Sequence, residues 1–193
     1  MIDLNKLNPE QKQAVLTTEG PLLILAGAGS GKTRVLTYRA AYLLEKGVPP
    51  WAILAITFTN KAAREMRERI NRLAGEAADD MWVMTFHALS ARILRRDIEK
   101  LGYKREFSIY DDDDQMTLIK RILKKLDISD KSYPPRAVKS VISDAKNHML
   151  SPEEWLKDNP DFRSKPYYRA YCEYEKELKE NNALDFDDLI LKT

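Results

Sequence analysis

Cysteine occurs once, as Cys172, so an internal disulfide and a thiolate zinc cluster are both excluded. A surplus of one charge is also missing. Lys and Arg number 32 against 30 Asp and Glu, and the net +2 does not announce a nucleic-acid binder; a local basic face stays open. No apolar run approaches a membrane span, and no internal repeat or low-complexity tract stands out. The polar IDLNKLNPE after Met1 is unlike a signal peptide. These absences lead to the expectation of a reducing, cytoplasmic setting without a membrane partner. The 44% hydrophobic and 32% charged residues are ordinary for a helix-rich soluble protein, and 193 residues allow one or two domains.

What the sequence does have is LLILAGAGSGKTRVL, residues 22–36. Leu22, Leu23, Ile24 and Leu25 form the short continuous apolar run expected of a strand buried on both faces. After Thr33 the spacing turns helical through Val35, Leu36, Ala40, Leu43 and Leu44, until Gly47, Pro49 and Pro50. Gly27, Gly29 and Gly31 therefore sit between a strand and a helix N-terminus. Glycine lets backbone N–H groups converge on an anion, and the helix dipole adds positive charge there. Lys32 can reach the β- and γ-phosphates of a nucleotide, and the Thr33 hydroxyl can ligate Mg²⁺. Ala26 departs from the strict pattern, which opens with Gly.

Residues 20–102 read as alternating strands and helices. The strands are expected at 22–26, 53–58 and 81–86, with helices at about 33–46, 61–74 and 87–101. Such alternation argues for a parallel sheet whose ligands gather at the strands' carboxyl ends. GAGSGKT, TFTNKAAREM and TFHALSARILRR all begin there. Beyond Tyr103 the pattern becomes helical. DDDDQMTLIKRILKKLD carries Met116, Ile119, Leu123 and Leu126 on one face, with its Asp run in the first turn. PPRAVKSVISDAKNHM opens on prolines, SPEEWLK on a capping box, and KPYYRAYCEYEKELKENN bears a tyrosine stripe. No strand is expected between about 110 and 182. Neither FSIYDDDDQM nor KENNALDFDD supplies the apolar strand that a Walker B acid needs, and Asp185 reads as the start of a final helix. A three-stranded α/β sheet is small enough that the chain is expected to be incomplete.

Taken together, these segments resemble the UvrD/Rep/PcrA family of superfamily 1 DNA helicases, PcrA-type members above all. The resemblance covers essentially the whole chain and rests on LNPEQKQAV at 7–15, AGAGSGKT at 26–33, ITFTNKAAREM at 56–66, TFHALSARILRR at 85–96 and LDFDDLI at 184–190. In this family Ala26 is the usual residue. The resemblance implies an α/β fold: a partial RecA-like P-loop domain with a parallel sheet, over 1–105 and 183–193, interrupted by an all-helical subdomain at 106–182. It also implies an ATP- and Mg²⁺-dependent motor on single-stranded DNA with 3′→5′ polarity, able to unwind duplex at junctions.

Residue by residue, Ala26, Gly27, Ala28, Gly29, Ser30, Gly31, Lys32 and Thr33 match the phosphate loop, with Lys32 and Thr33 catalytic and Thr33 on the metal. Gln11 matches the glutamine that reads adenine, since an amide both donates and accepts. Arg34 matches an arginine near the base; a solvated helix arginine is the alternative. Phe58 resembles the phenylalanine that stacks on a DNA base, and every base offers a π-face; a core aromatic at a strand end is the alternative. Thr59 and Asn60 could cap the next helix and bond phosphates. His87 falls in a motif that touches the DNA backbone, or is structural. A phosphate role for Arg92, Arg95 and Arg96 is only plausible, a solvated face explains Arg64, Arg67, Arg69 and Arg72 equally well, and His148 has no motif around it.

The function expected is therefore the N-terminal ATP-binding part of a DNA helicase, with repair or replication proteins as further partners. Two other readings survive: a subunit of a recombination helicase–nuclease, and a nucleotide- or DNA-binding module without turnover. On its own the chain is expected to be inactive as an ATPase.

Overall fold

Side-chain caps decide where most helices begin. Asn8 accepts from the Gln11 N–H while the Gln11 amide oxygen accepts from the Asn8 N–H, and Pro9 stands at the first position of α1, Pro9–Leu16. Equivalent reciprocal pairs, Asp111 with Asp114, Ser151 with Glu154 and Asp185 with Asp188, open α5 (Asp112–Lys125), α7 (Pro152–Asp158) and α9 (Phe186–Leu191). Thr59 caps α3 (Asn60–Ala74), and Pro134–Pro135 start α6 (Pro135–Asn147). A computed structural model describes residues 2–193; Met1 lies outside them.

The chain divides into two compact units, one ending at Phe86 and the other beginning at His87. In the first, α2 (Lys32–Glu45) and α3 accompany strands β1 (Leu54–Thr57) and β2 (Trp82–Thr85). The strands run parallel, from Leu54 opposite Trp82 to Thr57 opposite Thr85, with α3 as their crossover. Ala40, Ile53, Met66, Ile70, Met81 and Val83 form the core between helices and sheet. A separate cluster of Leu7, Val15, Val35 and Tyr38 joins α1 to α2.

The expected strand at 22–26 is not formed. The segment carries no ladder bonds, and Leu23 and Leu25 are 81% and 86% exposed. An apolar run has the composition of a strand, but a strand exists only against a neighbour, and none of the described residues pairs with this one. The parallel sheet of this unit therefore has two strands, not three.

The second unit is helical apart from one short bridge. α4 (Phe86–Asp97) leads into it, and α5, α6, α7 and α8 (Ser164–Glu180) follow before α9. Its main core combines Leu118, Ile119, Ile122, Leu123, Val138, Ile142, Trp155, Tyr171, Tyr174 and Leu178. The buried face of α5 is rotated from the one expected. Leu118 and Ile122 are buried with Ile119 and Leu123, whereas Met116 and Leu126 are only half-buried, because α5 packs against both α6 and α8. Strands β3 (Ser108–Ile109) and β4 (Ala183–Leu184) pair in parallel, with the Ser108 and Tyr110 N–H groups donating to the Asn182 and Leu184 carbonyls. No strand lies between 110 and 182, as expected. FSIYDDDDQM and KENNALDFDD, expected to lack an apolar Walker B strand, each contribute one two-residue strand to this pair. The two ends of the helical segment thus lie side by side.

Candidate functional site

The candidate phosphate loop is built by positive-φ glycines. Gly29 and Gly31 have φ of +76° and +86°, a region costly for any residue with a Cβ. The Ser30 N–H and hydroxyl both donate to the Gly27 carbonyl, at 3.3 and 2.7 Å, which closes the turn. Gly31 occupies the N-cap of α2 and offers no capping side chain, so the first N–H groups of a 14-residue helix are left for another acceptor. Lys32 is folded back, its ammonium donating to the Ala26 and Gly27 carbonyls at 2.9 and 2.7 Å. These groups fit a nucleotide's phosphates: an uncapped helix end, a glycine turn and a cation already at the loop. Ala26, Ala28 and Thr33 are exposed at the same place, and the Arg34 guanidinium lies 5.7 Å over the Tyr38 ring.

Gln11 is half-buried and reaches this loop from α1. Its Nε2 donates to the Ser30 carbonyl at 3.0 Å, and its Oε1 accepts from the Asn8 N–H at 3.2 Å. A Cβ on Gly31 would come within 2.9 Å of that Nε2, the far end of a side chain that can swing away, so it is the φ of +86° that calls for glycine there. Arg39, two turns into α2, donates to the Ala14 carbonyl at 2.8 Å and also to the Thr17 carbonyl at the far end of α1.

Phe58 follows β1 directly and is 86% exposed, so the core alternative does not apply to it. Its ring lies 5.5 Å from that of Phe86, which follows β2 and is 44% exposed. Thr59 accepts from the Ala62 N–H at 3.1 Å and Asn60 is the first residue of α3. Within the second unit, exposed His87 meets the Phe186 ring edge-on at 5.8 Å. Phe86 was missed by sequence reasoning, although the signal was present. Both strands end in Thr-Phe, and Thr57 and Thr85 share a register position.

The arginines set aside above are partly committed elsewhere. Arg67 donates to the Val83 carbonyl at 2.7 Å. Arg95 donates to the Arg105 carbonyl at 2.5 Å and lies 3.8 Å over the Phe107 ring, and Arg96 pairs with Asp97 at 2.7 Å. His148 is exposed, with Nδ1 2.9 Å from the Asp144 carbonyl oxygen.

A buried charge cluster in the second unit was also missed. The fully buried Lys146 ammonium lies 2.7 Å from Glu175, 2.8 Å from Asp185 and 3.0 Å from Asp188. Lys192 adds a contact to Asp188 at 2.9 Å, and the Tyr174 hydroxyl donates to Asp185 at 3.0 Å. Burial alone would lower the Lys146 pKa, but the three carboxylates outweigh it and hold the ammonium charged. Burial raises the Glu175 carboxyl, and it raises the Tyr174 hydroxyl far above the usual phenol range. Asp185 and Asp188 are therefore spent on capping α9 and on Lys146. They offer no open acid for a metal, even though a short strand precedes them.

Residues 7–193 match the family described as UvrD/REP helicase N-terminal domain. The chain is 54% identical over 191 residues to the ATP-dependent DNA helicase PcrA of Bacillus subtilis. It is 52% identical to proteins of the same name from Staphylococcus aureus and Staphylococcus epidermidis. Each comparison covers 98% of this chain but 26% of the relative, so the chain spans about a quarter of the length of the curated relatives it matches.

Proposed function

The chain belongs to the UvrD/REP helicase N-terminal family, and from that premise we propose that it is the ATP-binding portion of a helicase translocating 3′→5′ on single-stranded DNA and opening duplex at junctions. The observation that carries this reading is the uncapped N-terminus of α2 behind the glycine turn, with Lys32 held by two loop carbonyls. On binding ATP, Lys32 would exchange those carbonyls for the β- and γ-phosphate oxygens, while the α2 N–H groups hold the chain of phosphates. Thr33 would hold Mg²⁺, which when bound draws charge from the transferring phosphoryl group. Gln11 would read the adenine edge, with Arg34 near the base. Repair or replication proteins as partners, and a cytoplasmic setting, accompany this reading.

The DNA track runs over Phe58, Thr59, Asn60 and His87. The exposed Phe58 and Phe86 rings at adjacent strand ends support it, since a stacking platform must face solvent. We place the RecA-like lobe over 1–105 and 183–193, and the helical insert over 106–182. The β3–β4 bridge supports this division, because it brings the two ends of the insert together.

The test is nucleotide titration of wild type and Lys32→Ala. A charge-assisted contact contributes about 1.5–3 kcal/mol, so affinity should fall by roughly tenfold or more. Equal affinities would remove the phosphate-loop reading.

A further inference from the structure

We infer that Arg39 is the positioning residue for the Gln11 amide, and through it for recognition of the nucleotide's base. The inference rests on the reading of Gln11 as the base reader. The helix that carries Gln11 is short and weakly anchored. α1 has eight residues, below the roughly 12–15 that sustain an isolated helix in water, and Val15 alone of these is buried. Its last turn contains no basic residue to complement the helix dipole. Of its final carbonyls, that of Gln13 is taken by the Thr17 N–H and hydroxyl, at 3.0 and 2.9 Å. Arg39 supplies what is missing. Its guanidinium takes the Ala14 and Thr17 carbonyls and brings a positive charge to the C-terminal end of α1.

The source of that guanidinium matters as much as its target. Arg39 stands on α2, which begins at Lys32. Seven residues of helix separate the two, about 10 Å at 1.5 Å per residue. One rigid element therefore carries the phosphate seat at its start and, two turns on, the clamp on the helix that presents Gln11. Gln11 meets the loop through one hydrogen bond of 3.0 Å to the Ser30 carbonyl, with its Nε2 beside Gly31. Rocking α1 by about 1 Å would carry such a contact out of hydrogen-bonding range. With Arg39 in place, base reader and phosphate seat are fixed to one frame.

A residue that merely stabilises the fold would weaken every nucleotide alike; a positioning residue for Gln11 changes the preference among bases. Adenine and hypoxanthine differ at the 6-position, amino against oxo, on the edge an amide reads. The experiment measures ATP and ITP affinities of the full-length protein for wild type, Gln11→Ala, Arg39→Ala, Arg39→Lys, Arg39→Gln and the Gln11→Ala/Arg39→Ala double variant. Gln11→Ala should bring the ATP/ITP preference close to one. Arg39→Ala should cut it by about three- to tenfold, the scale of one misplaced hydrogen bond, with ITP affinity changed by less than about twofold. Arg39→Lys should recover part of the preference, and the double variant should lose no more than Gln11→Ala alone. If Arg39→Ala does not fold, Arg39→Gln, which keeps part of the stem but carries a shorter, uncharged donor, takes its place. An unchanged ATP/ITP ratio in the Arg39 variants beside a lost ratio in Gln11→Ala would overturn the inference and leave the Gln11 reading standing. An equal loss of both affinities would do the same. An unchanged ratio in Gln11→Ala would remove the Gln11 reading and the inference with it.

Discussion

Lys146 shows how much one side chain can settle without any local sequence signal. It sits in KNHM, far along the chain from Glu175, Asp185 and Asp188, and nothing in its spacing announces three carboxylate partners. Removing the lysine leaves buried anions with one remaining cation, Lys192. Lys146→Ala should therefore cost about 3–5 kcal/mol of stability in urea unfolding, the usual price of an orphaned buried charge. A loss under about 1 kcal/mol would mean that the carboxylates find water or protons instead. Glu175 behaves in the opposite sense to an ordinary paired carboxylate. Burial raises its pKa, so between its unfolded value near 4.3 and its higher folded value the native state holds more protons. Its contribution to stability thus grows as pH falls through that window and is lost as pH rises. Glu175→Gln should flatten this part of the stability–pH curve; an unaltered slope just above the usual carboxylate range would assign the proton elsewhere.

Phe58 gives the contrasting case, where sequence named the residue and structure shows its surroundings. At 86% exposure its truncation removes little packing, and only the 5.5 Å pairing with Phe86 is lost. Phe58→Ala should leave the melting temperature nearly unchanged and weaken single-strand affinity of the full-length protein by about 1–3 kcal/mol. A variant that melts early yet binds DNA normally would count against the platform. Lys32 and Thr33 stood out in the sequence because the glycine pattern before them is contiguous, and Gln11 stood out only through the family resemblance. Arg39 was not, because its role depends on which carbonyls lie across from it.

Among elements, helices were read more accurately than strands. α3, α6, α7 and α9 start at or within a residue of the positions that caps and prolines suggest. A cap acts within four residues and so is visible locally. Asp111 illustrates the local energetics: its carboxylate accepts from the Asp113 and Asp114 N–H groups at 2.9 Å, and Asp111→Ala should destabilise the second unit by about 0.5–2 kcal/mol in denaturant melts. The segment 22–26 shows the limit of such reading. Its apolar residues were identified correctly, yet strand pairing is a property of two segments, and one segment cannot supply it. The rotated face of α5 has a similar cause, since two neighbouring helices share it.

Taken whole, the chain offers a candidate phosphate seat, and among the described residues neither β1 nor β2 ends in an acid. β1 and β2 are each followed by a phenylalanine, and Asp185 and Asp188 after β4 are held by Lys146 and by capping. Phosphoryl transfer depends on groups arranged around the γ-phosphate, and an absent arginine alone costs about 10³–10⁵ in rate. The isolated chain should therefore turn over ATP at most about a thousandth as fast as the full-length protein with saturating single-stranded DNA. Comparable DNA-stimulated rates would reveal a complete site within these residues.

The β3–β4 bridge has a consequence for how such a molecule can be cut and rejoined. Ile109 and Ala183 lie on adjacent parallel strands, so everything from Tyr110 to Asn182 leaves and re-enters at one doorway. Loop-closure entropy rises by only about 0.6 kcal/mol for each doubling of length, so the doorway tolerates long and short inserts almost alike. The helical segment is thus a cassette. A linker of roughly five Gly and Ser residues has the reach to close the gap it would leave. Asp185 and Asp188 would then lose the lysine that holds them and face the solvent that the cassette now excludes. At the level of the gene, this is a site where a domain can be exchanged provided that the buried acids just beyond it, Asp185 and Asp188, are changed with it.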